Sequence, residues 1–326
     1  MNVETPDQPD GESNSPGLIS VIMPCYNAAP YVAEAIASVL GQTHAEVELI
    51  VVDDGSTDGS QEIVGELASR HPGRIRQLYT SRVGPYPARN HGLRAARGDF
   101  VAFLDADDWW LPATLENLHA ALAANDADIA YCGWQNVGEG VKSEPYVPPE
   151  YEKSDPAEAF LRTCPWPIHA ALVKRGVVDR IEGFSERRFS SMDYDFWLRA
   201  LAHTRRIARV PEVLAYYRWH GQGQVSAVKW RQVLDALDAQ QAFIAANPRL
   251  VAHIPARRRR DLTEGQVLRQ AYRAFWKRDL VSAQKLFRHA AARGSYSLRD
   301  LRHVVVALFP LSVYRGIVSL TDRRRA

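Results

Sequence analysis

The chain has little cysteine. Cys25, Cys132 and Cys164 are the three among 326 residues. They show no metal or redox spacing, and an odd, unpaired number fits a reducing cytosol. Membrane-spanning runs are also missing: the apolar stretch from Val304 to Leu311 is interrupted at Pro310 and is too short to cross a bilayer. The opening residues, Met1-Asn-Val-Glu-Thr-Pro-Asp7, carry no apolar core, so a signal peptide is not expected. Neither G-x-G-x-x-G nor G-x-x-x-x-G-K-[ST] occurs, which leaves a dinucleotide fingerprint and a P-loop unsupported. No internal repeat is evident.

What is present is ordinary in bulk and uneven in distribution. Apolar residues make up 46% and charged residues 24%, as in a soluble protein large enough for an α/β domain with an appendage, or for two domains. The net charge of +2 conceals a division. Residues 1–225 hold 20 Lys+Arg against 31 Asp+Glu, a net of −11, and residues 226–326 hold 20 against 7, a net of +13. An acidic front and a basic back imply separate tasks. The basic part reads as solvated helix faces or as contact with an anionic surface.

Residues 1–16, rich in Pro, Asp, Ser, Gly and Asn, read as a disordered tail. From Leu18 on, apolar β-branched runs alternate with helical patterns. Strands are predicted at 18–23, 47–52, 75–79 and 100–104. Helices are predicted at 31–40, 60–69, 85–96 and 111–124. This alternation implies βαβ units, a mostly parallel sheet, and a ligand beyond the strands' C-terminal ends. Further on, strand character is read at 129–134, 166–173 and 210–217. Helices are read at 155–162 and 190–203, and 137–150 reads as a loop.

Two strand ends carry acids. Leu49-Ile-Val-Val-Asp-Asp-Gly-Ser-Thr-Asp58 ends a buried run in paired carboxylates, and Phe100-Val-Ala-Phe-Leu-Asp-Ala-Asp-Asp108 repeats the design. Together they suggest one crevice that holds a polyanion through a metal. Carboxylates two apart on an extended segment, Asp105 and Asp107, can address one cation, and hard oxygen donors suit Mg²⁺ or Mn²⁺. Turn chemistry or helix capping is the plainer alternative for both acidic stretches. Arg89, near a helix start, suits an anion or a surface ion pair.

Five motifs then fall in one order and spacing: Pro24-Cys-Tyr-Asn27, Val51-Val-Asp-Asp-Gly-Ser-Thr-Asp58, Ala88-Arg-Asn-His-Gly92, Phe103-Leu-Asp-Ala-Asp-Asp108 and Asp193-Tyr-Asp-Phe-Trp-Leu-Arg199. Over residues 17–221 the chain resembles the family 2 glycosyltransferases. The resemblance implies a GT-A fold, Rossmann-like with a mostly parallel sheet flanked by helices, over 17–225, followed by a basic helical region at 226–326. It also implies a nucleotide-diphosphate sugar donor, UDP-linked in the first instance, a divalent metal, and an inverting transfer to a glycan or lipid-linked acceptor in bacterial surface polysaccharide synthesis.

Carried onto this chain, the resemblance makes Pro24, Tyr26, Asn27, Asp54 and Arg89 nucleotide contacts, with Asp54 at the base. Asp53 would support the turn. Asp105 and Ala106 would contact the donor, and Asp107 and His220 the metal, while Asp108 has no role assigned. Asp193 would be the general base, with Asp195 the alternative. Met192 stands where the family usually has Glu. His169 would lie by the acceptor.

Processive members of the family carry membrane spans and a Gln-x-x-Arg-Trp motif, and this chain has neither. Two other readings stay open. A sugar-1-phosphate nucleotidyltransferase would want a Gly-rich basic loop after the first strand. A catalytically inactive nucleotide-sugar-binding protein would draw on Met192. Nucleic-acid binding has only tail charge behind it and no reading motif. For residues 295–326, with arginines flanking apolar positions, three uses stay open: packing on the catalytic domain, homodimer formation, and contact with anionic lipid on the inner face of the membrane from a cytoplasmic location.

Overall fold

The computed structural model describes residues 17–138, 144–186, 190–219 and 229–323. The expected tail at 1–16, the boundary at 225 and His220 lie outside the described residues. The chain opens with β1 (Ile19–Cys25), α1 (Val32–Leu40), β2 (Val47–Asp53), α2 (Ser60–Arg70), β3 (Ile75–Tyr79), α3 (Pro85–Ala95) and β4 (Phe100–Phe103). β2 is buried along its whole length and β1 nearly so, as strands covered on both faces must be. On α1 the buried residues Val32, Ala35, Ile36 and Val39 recur at helical spacing and form one apolar stripe. α3 starts with Pro85, where the missing N–H costs no helical hydrogen bond.

Next come β5 (Trp109–Trp110), α4 (Thr114–Ala124), β6 (Ile129–Val137), α5 (Pro156–Arg162), β7 (Ala171–Lys174), α6 (Arg175–Arg180), α7 (Met192–His203) and β8 (Ile207–Arg218). Among the described residues the strands form one sheet in the order β3-β2-β1-β4-β7-β6-β8-β5. The sheet is mostly parallel, as expected, with β7 and β5 running against the rest. The four-strand half from β3 to β4 is parallel. β7 runs against both β4 and β6, β8 returns parallel to β6, and β5 pairs antiparallel with β8. The two-residue β5 is too short to show periodicity.

Among the described residues six helices follow: α8 (Lys229–Ala246), α9 (Ala256–Leu262), α10 (Glu264–Trp276), α11 (Leu280–Arg293), α12 (Leu301–Ala307) and α13 (Leu311–Arg323). Within the expected helical region, the stretch 262–292 is not one continuous helix. It breaks at Thr263, and again at 277–279, where Arg278 takes φ 62° and Asp279 caps α11 by accepting from Ser282 N. Two apolar cores result. Ala239 and Phe243 of α8 join the core of the sheet, whereas Leu237 joins a second core with Val267, Phe275, Leu286, Phe287 and Tyr314. α8 therefore fastens the helical region to the α/β layers. Arg258 to Glu158 at 2.7 Å and His253 to Asp155 at 2.6 Å add surface ties.

Candidate active site

The C-terminal ends of β1, β2 and β4 open into a cleft of about 1620 Å³. Pro24, Tyr26, Asn27, Asp54, Arg89, Asp105, Ala106, Asp107 and Asp193 all line it, so nine predicted site residues meet in one place. His220 lies outside the described residues.

The first acidic turn is held by its own side chains. Asp53 Oδ1 accepts from Gly55 N and Ser56 N at 3.1 and 3.0 Å, and Gly55 adopts φ 79°, a conformation that favours glycine. Asp58 accepts from Ala29 N at 2.9 Å and Asn27 Oδ1 from Thr57 N at 2.8 Å, which ties the 26–29 turn to this loop. Asp54 is buried. Its Oδ1 accepts from Thr80 Oγ1 and Val83 N, both at 2.8 Å, and its Oδ2 accepts from Gly84 N at 2.7 Å. Asp54 thus orders the 80–84 segment, which carries Arg82 over the Tyr26 ring at 5.0 Å.

The Ala88–Gly92 motif places a cation under the acids. A Cβ on Gly92 would stand 2.6 Å from Ile22 Cγ2, so glycine lets α3 lie close against β1. Asn90 exchanges two hydrogen bonds with Phe184, at 2.8 Å each, and brings that ring within 5.5 Å of the Arg89 guanidinium. Arg89 is buried, donates to Asp105, and has Nη1 4.0 Å from Asp193 Oδ1. Burial opposes its charge, but Asp105 and Asp193 outweigh that and raise its pKa above the usual arginine value.

Asp105, Asp107 and Asp108 each offer an oxygen, and these atoms lie within 4.8 Å of one another. β8 secures this turn: Arg218 N donates to Asp108 Oδ1 at 2.7 Å and Arg218 Nε to the Asp107 carbonyl at 2.9 Å. The Arg218 guanidinium also covers Trp109 at 4.5 Å and reaches Glu34 at 2.6 Å. Asp108 Oδ2 is shut from water without a hydrogen-bond partner. Burial, then Asp107 and Asp105, push the Asp108 carboxyl well above its ordinary range. A hard divalent cation among these oxygens would relieve that crowding, so the donor set fits Mg²⁺ or Mn²⁺.

His169 is fully buried beneath the turn, with Nδ1 3.4 Å from Asp108 Oδ2 and its ring stacked on Tyr217. Burial lowers its pKa to about 4, so this contact is not an ion pair. His169 therefore supports the acidic turn, and it does not line the cleft.

Asp193 enters from the first turn of α7. Its side chain keeps 33% of its surface exposed, yet Oδ1 is sealed and has no hydrogen-bond partner. Burial raises its pKa to about 6, with Arg89 opposing and Asp105 adding to the rise. Asp195 faces the other way: it is buried and ion-paired with Arg199 at 2.7 Å. Met192, in the usual Glu position, is fully buried.

Several contributors were not read from the sequence. Tyr86, Arg82 and Tyr217 line the cleft, and so do Gln232, Gln240, Gln266, Gln270 and Arg273 of the C-terminal helices. On α10 the sequence signal is there in retrospect: 266, 270 and 273 fall on one helix face.

Comparison with known proteins fits this geometry. Residues 20–193 match the family described as glycosyl transferase family 2. The chain belongs to that family. An uncharacterized glycosyltransferase of Nostoc sp. is 32% identical over 214 residues, covering 62% of this chain and 65% of the relative. The chain thus spans less than two thirds of that protein. WfaP of Escherichia coli, named as a UDP-Glc:α-D-GlcNAc-diphosphoundecaprenol β-1,3-glucosyltransferase, is 29% identical over 67% of this chain and 83% of its own length. Among solved structures, Staphylococcus aureus TarS 1–349 with UDP-GlcNAc has a TM-score of 0.64 at 20% identity, covering 94% of this chain and 92% of TarS 1–349. The Pyrobaculum calidifontis mannosyltransferase PcManGT with GDP-Man and Mn²⁺ has a TM-score of 0.57 at 22% identity, covering 96% and 88%. Both share the GT-A fold. No helix among the described residues is long and apolar enough to cross a membrane.

Proposed function

We propose that this chain is a metal-dependent, inverting glycosyltransferase. It would move a sugar from a nucleotide diphosphate, UDP in the first instance, to a hydroxyl of a glycan or lipid-linked acceptor in surface polysaccharide synthesis. The observation that carries the reading is one cleft in which the Asp105–Asp107 turn and Asp193 face each other across Arg89. UDP-GlcNAc in TarS 1–349 and the named reaction of WfaP support the donor and acceptor classes.

In this reading Pro24, Tyr26 and Asn27 form the nucleotide wall. Asp54 keeps one free lone pair on Oδ2 for a base N–H after its three loop contacts. Asp107, joined by Asp105 and by His220, would hold Mg²⁺ or Mn²⁺, and Ala106 would bring backbone against the donor. When bound, that ion stabilises the charge of the departing diphosphate. Arg89 fixes Asp105, and its positive charge faces the donor side of the cleft. Asp193 takes the acceptor hydroxyl's proton as the hydroxyl attacks the anomeric carbon opposite the leaving group. Family membership with these acids in one cleft favours transfer over nucleotidyl transfer or mere binding. The test is nucleotide release and sugar transfer by Asp193→Asn, with donor affinity measured separately.

A second surface supports peripheral membrane contact. Leu298, Leu301, Val305, Leu308, Phe309 and Val313 are exposed on or beside α12 and α13, among Arg299, Arg302 and Arg315. Apolar side chains among cations suit the interface of an anionic bilayer, where a lipid-linked acceptor would reside.

A further inference from the structure

The carboxylate of Asp193 has no hydrogen bond of its own on Oδ1, and its nearest cation contact is Arg89 at 4.0 Å. Its aim into the cleft is therefore set by the backbone that carries it. That backbone is held from α8, which lies outside the family-matched residues 20–193. Asp235 Oδ2 accepts from Ser190 N at 3.0 Å and from Ser190 Oγ at 2.5 Å. The Gln232 carbonyl accepts from Ser191 Oγ at 3.0 Å.

These contacts act where the chain needs them. Ser191 adopts φ 58° and ψ 27°, a left-handed conformation that costs a non-glycine residue energy. A serine at this position normally caps its own helix, yet this hydroxyl is spent on α8, and no side-chain cap closes α7. On the far side of Asp193, Tyr194 Oη accepts from Gln240 Nε2 at 3.0 Å, again from α8. Residues 190, 191 and 194 are all gripped by one helix, and Asp193 sits between them.

We propose that Asp235 is a positioning residue for Asp193, and that α8 is in this way an obligatory part of the catalytic site. The inference rests on the reading of Asp193 as the general base. Proton transfer is steep in distance, and a misplacement of about 1 Å can cost on the order of 10²-fold in rate. A carboxylate oxygen that accepts two hydrogen bonds can be replaced by the amide oxygen of asparagine but not by a methyl group.

The experiment compares full-length wild type with Asp235→Ala, Asp235→Asn, Ser190→Ala and Asp193→Asn, all well below their thermal midpoints. It reads kcat and donor KM for nucleotide release from the best UDP-sugar. Asp235→Ala should lower kcat by about 10- to 100-fold with donor KM unchanged. Asp235→Asn should recover most of that loss, and Ser190→Ala should fall between. Wild-type kcat in Asp235→Ala, or equal damage in the Ala and Asn variants, would overturn the proposal. If Asp193→Asn keeps wild-type turnover, the base assignment itself fails and this inference falls with it. Should Asp235→Ala not fold, Ser190→Ala decides, because it removes one bond of the clamp and leaves the other.

Discussion

Arg89 Nη1 lies 4.0 Å from Asp193 Oδ1 while the same guanidinium donates to Asp105. One buried cation thus stands between the acidic turn after β4 and the acid in the first turn of α7. It lowers the repulsion between them and keeps Asp193 from rising still further in pKa.

Loss of the base should be the largest single effect. Asp193→Asn keeps size and polarity but cannot take a proton, so turnover should fall by about 10²–10⁴-fold. Donor affinity, measured by calorimetry with the UDP-sugar, should stay within about twofold, since the proposed nucleotide wall lies at residues 24–27 and 54.

The pH dependence follows from the raised pKa of Asp193. A general base must be ionised, so kcat/KM should climb as pH rises through about 6 and level off above it. Replacing Arg89 with Met removes the cation that lowers this pKa, and frees the charge of Asp105 as well. Both changes favour the protonated acid, so the acidic limb should move to higher pH. A limb that stays in place would show that Arg89 does not tune Asp193.

Much of this arrangement could be read in the chain. Helical spacing over 31–40 points to α1, and the apolar runs before Asp53 and Asp105 point to the strands that deliver acids. Burial enforces these patterns locally, which is why they show. Other features were hidden for physical reasons. Asp54 reads as a ligand-facing acid and lines the cleft, but its oxygens also hold Thr80, Val83 and Gly84, contacts that span about 30 residues. Gln266, Gln270 and Arg273 look like a solvated helix face because a cleft wall is also solvated. Only the packing of α8 and α10 turns that face toward the acids.

Metal removal offers an independent check. Chelation should abolish turnover and Mn²⁺ should restore it, and Asp107→Ala should lose Mn²⁺ binding by electron paramagnetic resonance as well as activity. Full activity in chelator would rule out the cation site at this turn.

Gly92→Ala tests the packing that seats Arg89. The added methyl would meet Ile22 Cγ2 at 2.6 Å and Val52 Cγ2 at 3.1 Å. Destabilisation of about 1–3 kcal/mol in urea unfolding is expected from such overpacking.

The α12–α13 surface makes its own prediction. The full chain should co-sediment with vesicles containing phosphatidylglycerol and remain in the supernatant with phosphatidylcholine alone. Leu308→Glu with Phe309→Glu should cut recovery several-fold. Equal recovery of wild type and variant would remove the membrane contact.

The most direct measurement is a donor screen with UDP-, GDP- and dTDP-sugars in Mn²⁺, reading nucleotide release from wild type, Asp107→Ala and Asp193→Asn side by side. Turnover confined to one nucleotide class, UDP first, and lost in both variants is the expected result. No turnover with any donor, or turnover that survives Asp193→Asn, would contradict the proposed transfer.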